Sequence, residues 1–192
     1  MLYQIVGFIL QMIEGLLAGT CLLRLLFHFQ RISLSANSGN PLGPFIFATT
    51  NWIVLPIRRF IPSIGRLDTA SLLSAFLIIL AKASVMWLIN SGVQPYLMII
   101  GVSVFGLFQM CLSCLNGLVL VYAVMTWISS NSSVIDIFSR LVNPMLRPIQ
   151  KVLPLFGGID LSPLALLALI QIGIMLLQNL EGQILGLIIL AS

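Results

Sequence analysis

Four ionisable residues interrupt otherwise apolar stretches: Glu14, Arg24, Lys82 and Glu181. A charge in hydrocarbon is costly and persists where it is paired, hydrated or functional. Counted inward from Arg31 and Asp68 at a helical rise of about 1.5 Å per residue, Glu14 stands roughly 25 Å and Lys82 roughly 21 Å into the layer. They can meet as an ion pair between the first two spans. Such a pair either lines an ion path or gate, or fixes the packing of two helices, and the second role is needed whatever the protein does. Arg24, only roughly 10 Å in, can extend its head toward the near surface, while Glu181 belongs close to the far one. His28 falls at the end of the first span, with no ligand partners in sequence.

Other constellations are sparse. Cys111 and Cys114 form a C-x-x-C whose thiols share a helix face, a spacing that a metal or redox site could use, but no histidine accompanies them. With Cys21 they read as small helix-packing residues rather than a disulfide framework. There is no H-E-x-x-H, G-x-S-x-G or P-loop, and the single histidine leaves acid-base chemistry poorly supplied. The expectation is a protein that is not an enzyme and holds no cofactor or metal.

The elements that carry these residues follow from composition. Hydrophobic residues make up 59% of the 192 and charged ones 7%, against roughly one-half and one-quarter in soluble domains. No Asp, Glu, Lys or Arg occurs from Ala83 to Ile135 or from Leu161 to Leu180, and about 20 apolar residues suffice to cross a bilayer. Four spans are predicted, at 3–29, 69–90, 96–128 and 163–190. The apolar N-terminus lacks a basic region and carries Glu14, so it reads as a retained helix rather than a cleaved signal.

Charge sets the orientation. The second and third spans are joined by the uncharged turn 90–95, where Gly92 and Pro95 break the helix. The connection after the first span holds Arg31, Arg58, Arg59 and Arg66, and the one after the third holds Arg140, Arg147 and Lys151. Both are expected on the cytoplasmic side, which puts the two termini and the 90–95 turn on the other. The net charge of +4 is thus localised at one face, where it suits anionic lipid headgroups better than nucleic acid.

The most specific feature is an internal repeat at a constant offset of 92 residues. Asn51, Pro56, Ile57, Pro62, Gly65 and Asp68 recur as Asn143, Pro148, Ile149, Pro154, Gly157 and Asp160. Upstream, Leu42, Phe45, Ile46, Trp52 and Ile53, and likewise Val134, Ile137, Phe138, Leu141 and Met145, suggest amphipathic helices lying flat at the interface, within about 41–67 and 133–159. Pro56 and Pro148 disfavour continued helix, and Pro62 with Gly65 and Pro154 with Gly157 turn the chain back toward the membrane. Asp68 and Asp160 then stand where a carboxylate caps the next helix, with Ser162-Pro163 as an alternative cap in the second copy. The motif serves either as a re-entry turn alone or as a functional surface, and its arginines fit headgroup and topology anchors. The predicted fold is all-α integral membrane: two parallel two-helix repeats, 1–94 and 95–192, related by a pseudo-twofold along the membrane normal.

At this motif the chain resembles the YggT family of bacterial membrane proteins, related to the YlmG proteins of Gram-positive bacteria, cyanobacteria and plastids. The family pattern, roughly N-P-L-L-R-P-I-R-R followed by two apolar residues, P-P, an apolar residue, G-G, and D and S-P set off by apolar residues, is matched by Asn143 to Pro163. Gln150 replaces the first of the two basic residues, leaving Lys151, and Leu155 replaces the second proline. The first copy departs further, with Trp52 for proline, Leu55 for arginine, Arg66 for glycine and Thr69-Ala70-Ser71 for the last three residues. The resemblance covers nearly the whole chain. It implies a bacterial inner-membrane protein associated with osmotic or salt-stress tolerance, and in plastid relatives with cytochrome b6 haem attachment or nucleoid organisation. It carries no catalytic residues.

Two function classes follow. A membrane scaffold or assembly factor presents two basic segments to lipids and to a membrane-protein partner or further copies of itself. A transport-related protein, an oligomeric channel or an accessory subunit affecting cation balance, would use Glu14 and Lys82; four spans rarely enclose a path without oligomerising.

Overall fold

Apolar runs of this length leave their backbone groups only one way to be satisfied in a bilayer, by hydrogen bonds within each segment. In the computed structural model the chain is accordingly helical: α1 (Leu2–Phe29), α2 (Leu42–Phe60), α3 (Thr69–Ile89), α4 (Tyr96–Trp127), α5 (Ser133–Gln150) and α6 (Ser162–Ala191). The structure describes residues 2–34, 42–63, 65–90, 96–128, 133–152 and 160–191. Gly92 and Pro95 of the short turn, and Pro154 and Gly157 of the second motif, lie outside them. Among the described residues four helices, α1, α3, α4 and α6, are long and apolar enough to cross a membrane. They mark a multi-pass membrane protein.

The four long helices pack as two pairs, α1 on α3 and α4 on α6, joined where α3 lies along α4 and α1 reaches α4. The shorter helices close one end of this bundle. α2 touches α1 and α3, while α5 touches α4 and α6. Beneath them Phe27, Leu34 and Ile46 share one core with Val119, Phe138, Leu141, Val142, Leu146 and Leu166. Gln30 crosses between the halves to donate to the Leu141 carbonyl at 2.7 Å. A second core, Ala18, Cys21, Leu22, Val54, Ala70, Ala75 and Ile79, holds α1, α2 and α3 together. Outward-facing Phe8, Met12, Leu169 and Met175 are each more than half exposed, the dress of helices solvated by lipid.

Two sequence expectations change. The helices do not end at the motif prolines: α2 runs through Pro56, and α5 through both Pro144 and Pro148. A proline inside a helix removes one hydrogen bond and crowds the carbonyl four residues back. Pro56 and Pro148 fall close to the ends of their helices, where only a short stretch lies beyond them and the final turns still close, Ile61 N–H on the Ile57 carbonyl at 2.9 Å and Lys151 N–H on the Arg147 carbonyl at 3.3 Å. The inward face of α2 also differs. Gly43, Ile46, Thr50 and Val54 are buried along one stripe, whereas Phe45 and Trp52 point outward. Gly43 fixes this phase, because a Cβ there would collide with the Leu34 carbonyl. In α5 the inward residues Phe138 and Leu141 agree with the sequence pattern, joined by Val142 and Leu146.

Candidate functional site

Two polar sites interrupt the apolar bundle. The first is a knot where α1, α2 and the start of α3 meet. Asp68, wholly buried, accepts a hydrogen bond from Arg58 and another from the Ser71 hydroxyl at 2.7 Å, both on Oδ2. Arg24 Nε lies 3.8 Å from the same oxygen, and its Nη1 donates to Thr50 Oγ1 and Asn51 Oδ1, each at 2.9 Å, with the guanidinium 5.1 Å from the Phe47 ring centre. Burial pushes the Asp68 carboxyl up, but the Arg58 and Ser71 hydrogen bonds, with the charges of Arg58 and Arg24, outweigh it and hold the group below the usual carboxylate range.

This arrangement corrects the reading of Arg24. Its head does not extend to the surface; the residue is 5% exposed and turned onto α2. The physical reason is that Asp68, Thr50 and Asn51 supply acceptors at arm's length, sparing the side chain a longer reach. Asp68 precedes α3 but makes no side-chain hydrogen bond to its free backbone N–H groups: Oδ2 is taken by Arg58 and Ser71, and Oδ1 is buried with no hydrogen-bond partner among the described residues. Thr50 and Ser71 were not singled out from sequence. Ser71, three residues after an N-terminal aspartate, stood at the spacing that could have revealed it.

The remaining motif residues are simpler. Arg59 is exposed at the end of α2, the Pro62 carbonyl accepts from the Thr69 hydroxyl at 2.8 Å, and Gly65 adopts φ +60°, the left-handed turn that glycine tolerates without strain. In the second copy Gln150 Nε2 donates to Asp160 Oδ2 at 2.9 Å, and Asp160 Oδ1 accepts the Ser162 N–H at 2.9 Å at the head of α6. Burial pushes the Asp160 carboxyl up, yet its bonds from Ser162 and Gln150 bring it below the usual range. Residue 58 and residue 150 thus each reach an aspartate ten positions on. Asn51 and Asn143 part company, since Asn143 donates to Ser139 within its own helix at 2.9 Å. Lys151 is exposed, and Pro148 lies inside α5.

The second site lies toward the other end of the bundle. Lys82 Nζ on α3 meets Glu14 Oε2 on α1 at 2.5 Å, their side chains 29% and 12% exposed. A cavity of about 650 Å³ opens beside them, lined from all four long helices and including Gln109, Ser113, Trp87 and Glu181. Cys111 and Cys114 are free thiols; Cys114 Sγ approaches the Gly19 carbonyl at 4.0 Å. Among the described residues no group of His, Cys, Asp and Glu is placed to hold a metal ion.

A comparison with protein-family models matches the family described as CCB3/YggT over residues 1–89 and 101–180. The chain belongs to the CCB3/YggT family. Similar members include the YggT protein of Escherichia coli (strain K12), 36% identical over 69% of this chain and 70% of its own length. A protein of Vibrio alginolyticus is 33% identical over 77% of this chain and 79% of its own, and one of Pseudomonas aeruginosa 31% identical over 91% and 89%. No solved structure matches. The two stretches matched by the family model each contain one complete helix triplet or nearly so, with the knot at Asp68 in the first and the smaller clasp at Asp160 in the second.

Proposed function

We propose that this family member is a non-enzymatic scaffold of the bacterial inner membrane, built from two equivalent halves that hold α2 and α5 as basic plates against the cytoplasmic leaflet. The carrying observation is the recurrence of one clasp at the 92-residue offset, Arg58 to Asp68 and Gln150 to Asp160. Each clasp fastens the end of a short helix to the start of a spanning one, so that the plate moves with its hairpin. The division of the family match into two stretches supports the duplication. Arg59, Arg66, Arg140, Arg147 and Lys151 form no ion pair within the described protein, which leaves them available to lipid phosphates or an acidic membrane partner. An association with osmotic or salt stress fits a protein that organises others in the membrane.

The test has two arms. Cysteines introduced at positions 58 and 147 should react with impermeant reagents only from the cytoplasm; labelling from outside would overturn the orientation. Crosslinking in native membranes should recover a stable membrane-protein complex, and liposomes with the purified protein should show no ion flux. A second reading, a transport role, is favoured by the cavity beside Glu14 and Lys82. Flux that disappears on Lys82→Ala would establish it instead.

A further inference from the structure

The cavity between the four long helices has a composition that lipid cannot satisfy. Lys82 spends one of its three N–H bonds on Glu14 Oε2, and among the described residues neither side chain has a further hydrogen-bond or ion-pair partner. Glu181, on the same wall, makes no hydrogen bond or ion pair within the described residues. In hydrocarbon such groups require water or a polar ligand. Access is provided by position: Tyr3, Asn90 and Met98, at the ends of their helices away from α2 and α5, line the cavity, so its mouth lies at that end of the bundle.

Charge and shape then restrict the occupant. Two carboxylates, Glu14 and Glu181, face one ammonium, Lys82, so the lining, with both groups ionised, carries one net negative charge inside a bundle surrounded by lipid, where a field acts over longer distances than in water. Gln109 and Ser113 add hydrogen-bonding groups, and Met86, Trp87 and Ile79 add apolar and aromatic surface. A volume of about 650 Å³ lies within the range of small-molecule sites, generously sized for a compact organic ion with some water. A net negative lining with an aromatic wall suits a small cation that is itself partly apolar.

The geometry points to a binding site for a small alkylammonium cation, entered from the side opposite α2 and α5, with Glu181 as its free counter-charge and the Glu14–Lys82 pair as its inner wall. The site joins both halves of the chain and does not depend on the scaffold reading, which concerns the other end of the molecule.

The test uses the full chain in nanodiscs and radiolabelled choline as the probe in equilibrium binding, with 3,3-dimethylbutan-1-ol as the uncharged isostere. Choline should bind saturably, one per chain, and the isostere should not displace it at the same concentration. Glu181→Gln should weaken binding at least tenfold; since Glu181 holds no ion pair among the described residues, this variant keeps the fold. Lys82→Met should act in the opposite direction and tighten binding by removing the competing positive charge. No saturable binding by the natural chain, displacement by the isostere, or unchanged affinity in Glu181→Gln would overturn the proposal. A Lys82→Met chain that fails to fold leaves Glu181→Gln and the isostere to decide.

Discussion

Replacing Asp68 by asparagine keeps the side chain's shape and removes its charge from beneath two arginines. Of these, Arg58 can turn outward, because its side chain is 36% exposed; Arg24 cannot, being 6% exposed with its acceptors on α2. Removing one partner of a buried pair costs about 3–5 kcal/mol, mostly the charge left behind. Arg24 keeps the neutral acceptors Thr50 and Asn51, so the loss should sit at the lower end, about 3 kcal/mol. Arg58→Ala leaves the buried Asp68 carboxylate with Ser71 and the more distant Arg24, and should cost about 1.5–3 kcal/mol. Combining Asp68→Asn with Arg24→Met should recover much of the loss, since the stranded charge goes too. The assay is reversible unfolding in mixed micelles followed by tryptophan fluorescence. A pH series adds a sign. The folded carboxyl titrates below its unfolded value of about 3.9, so the Asp68 contribution is complete above that pH and disappears as pH falls through the folded value. Natural and Asp68→Asn chains should therefore converge in acid. If Asp68→Asn changed stability by less than about 0.5 kcal/mol, or if the two chains drew apart in acid, the account of the knot would be wrong.

Three further outcomes are expected. Gln150→Arg gives Asp160 a charged partner where the first copy has Arg58, and should raise stability in the same assay by about 0.5 kcal/mol, the modest worth of an exposed pair. Gly43→Ala forces a methyl group against the Leu34 carbonyl and should cost about 1–3 kcal/mol, with easier proteolysis between α1 and α2 as an independent readout. Lys82→Met should lose about 2 kcal/mol by stranding Glu14, less than a fully buried pair because the lysine is 29% exposed, and Glu14→Gln added to it should restore most of that in a double-mutant cycle.

The spanning helices were legible because their boundaries depend on solvent: apolar runs bounded by Asp68, Asn90 and Ser162, each interrupted by a single charge, coincide with α3 and α6 almost to the residue. The meeting of Glu14 with Lys82 was legible from spacing, since rise per residue brings the two within about one helical turn of each other. Arg24 was not. Its depth allowed it to reach the surface, and only the fold reveals that Thr50 and Asn51 stand closer than water. The prolines misled in the opposite direction. Local chemistry argues against helix at Pro56 and Pro148, yet packing of α2 and α5 over a shared core outweighs one lost hydrogen bond at each. The phase of α2 was hidden because Gly43 sets it by lacking a side chain, a feature hydrophobic periodicity does not register.

The mixed core at the end closed by α2 and α5 has a consequence for chains of other lengths. Phe27 and Ile46 are covered by Val119, Leu146 and Leu166, so residues from the first half find their lid in the second. A polypeptide with a single hairpin and its short helix would leave that wall open to water and headgroups. Such a chain would be soluble in the bilayer only by borrowing the missing wall from another copy, and severing this one between α3 and α4 should give fragments that survive together and fail apart.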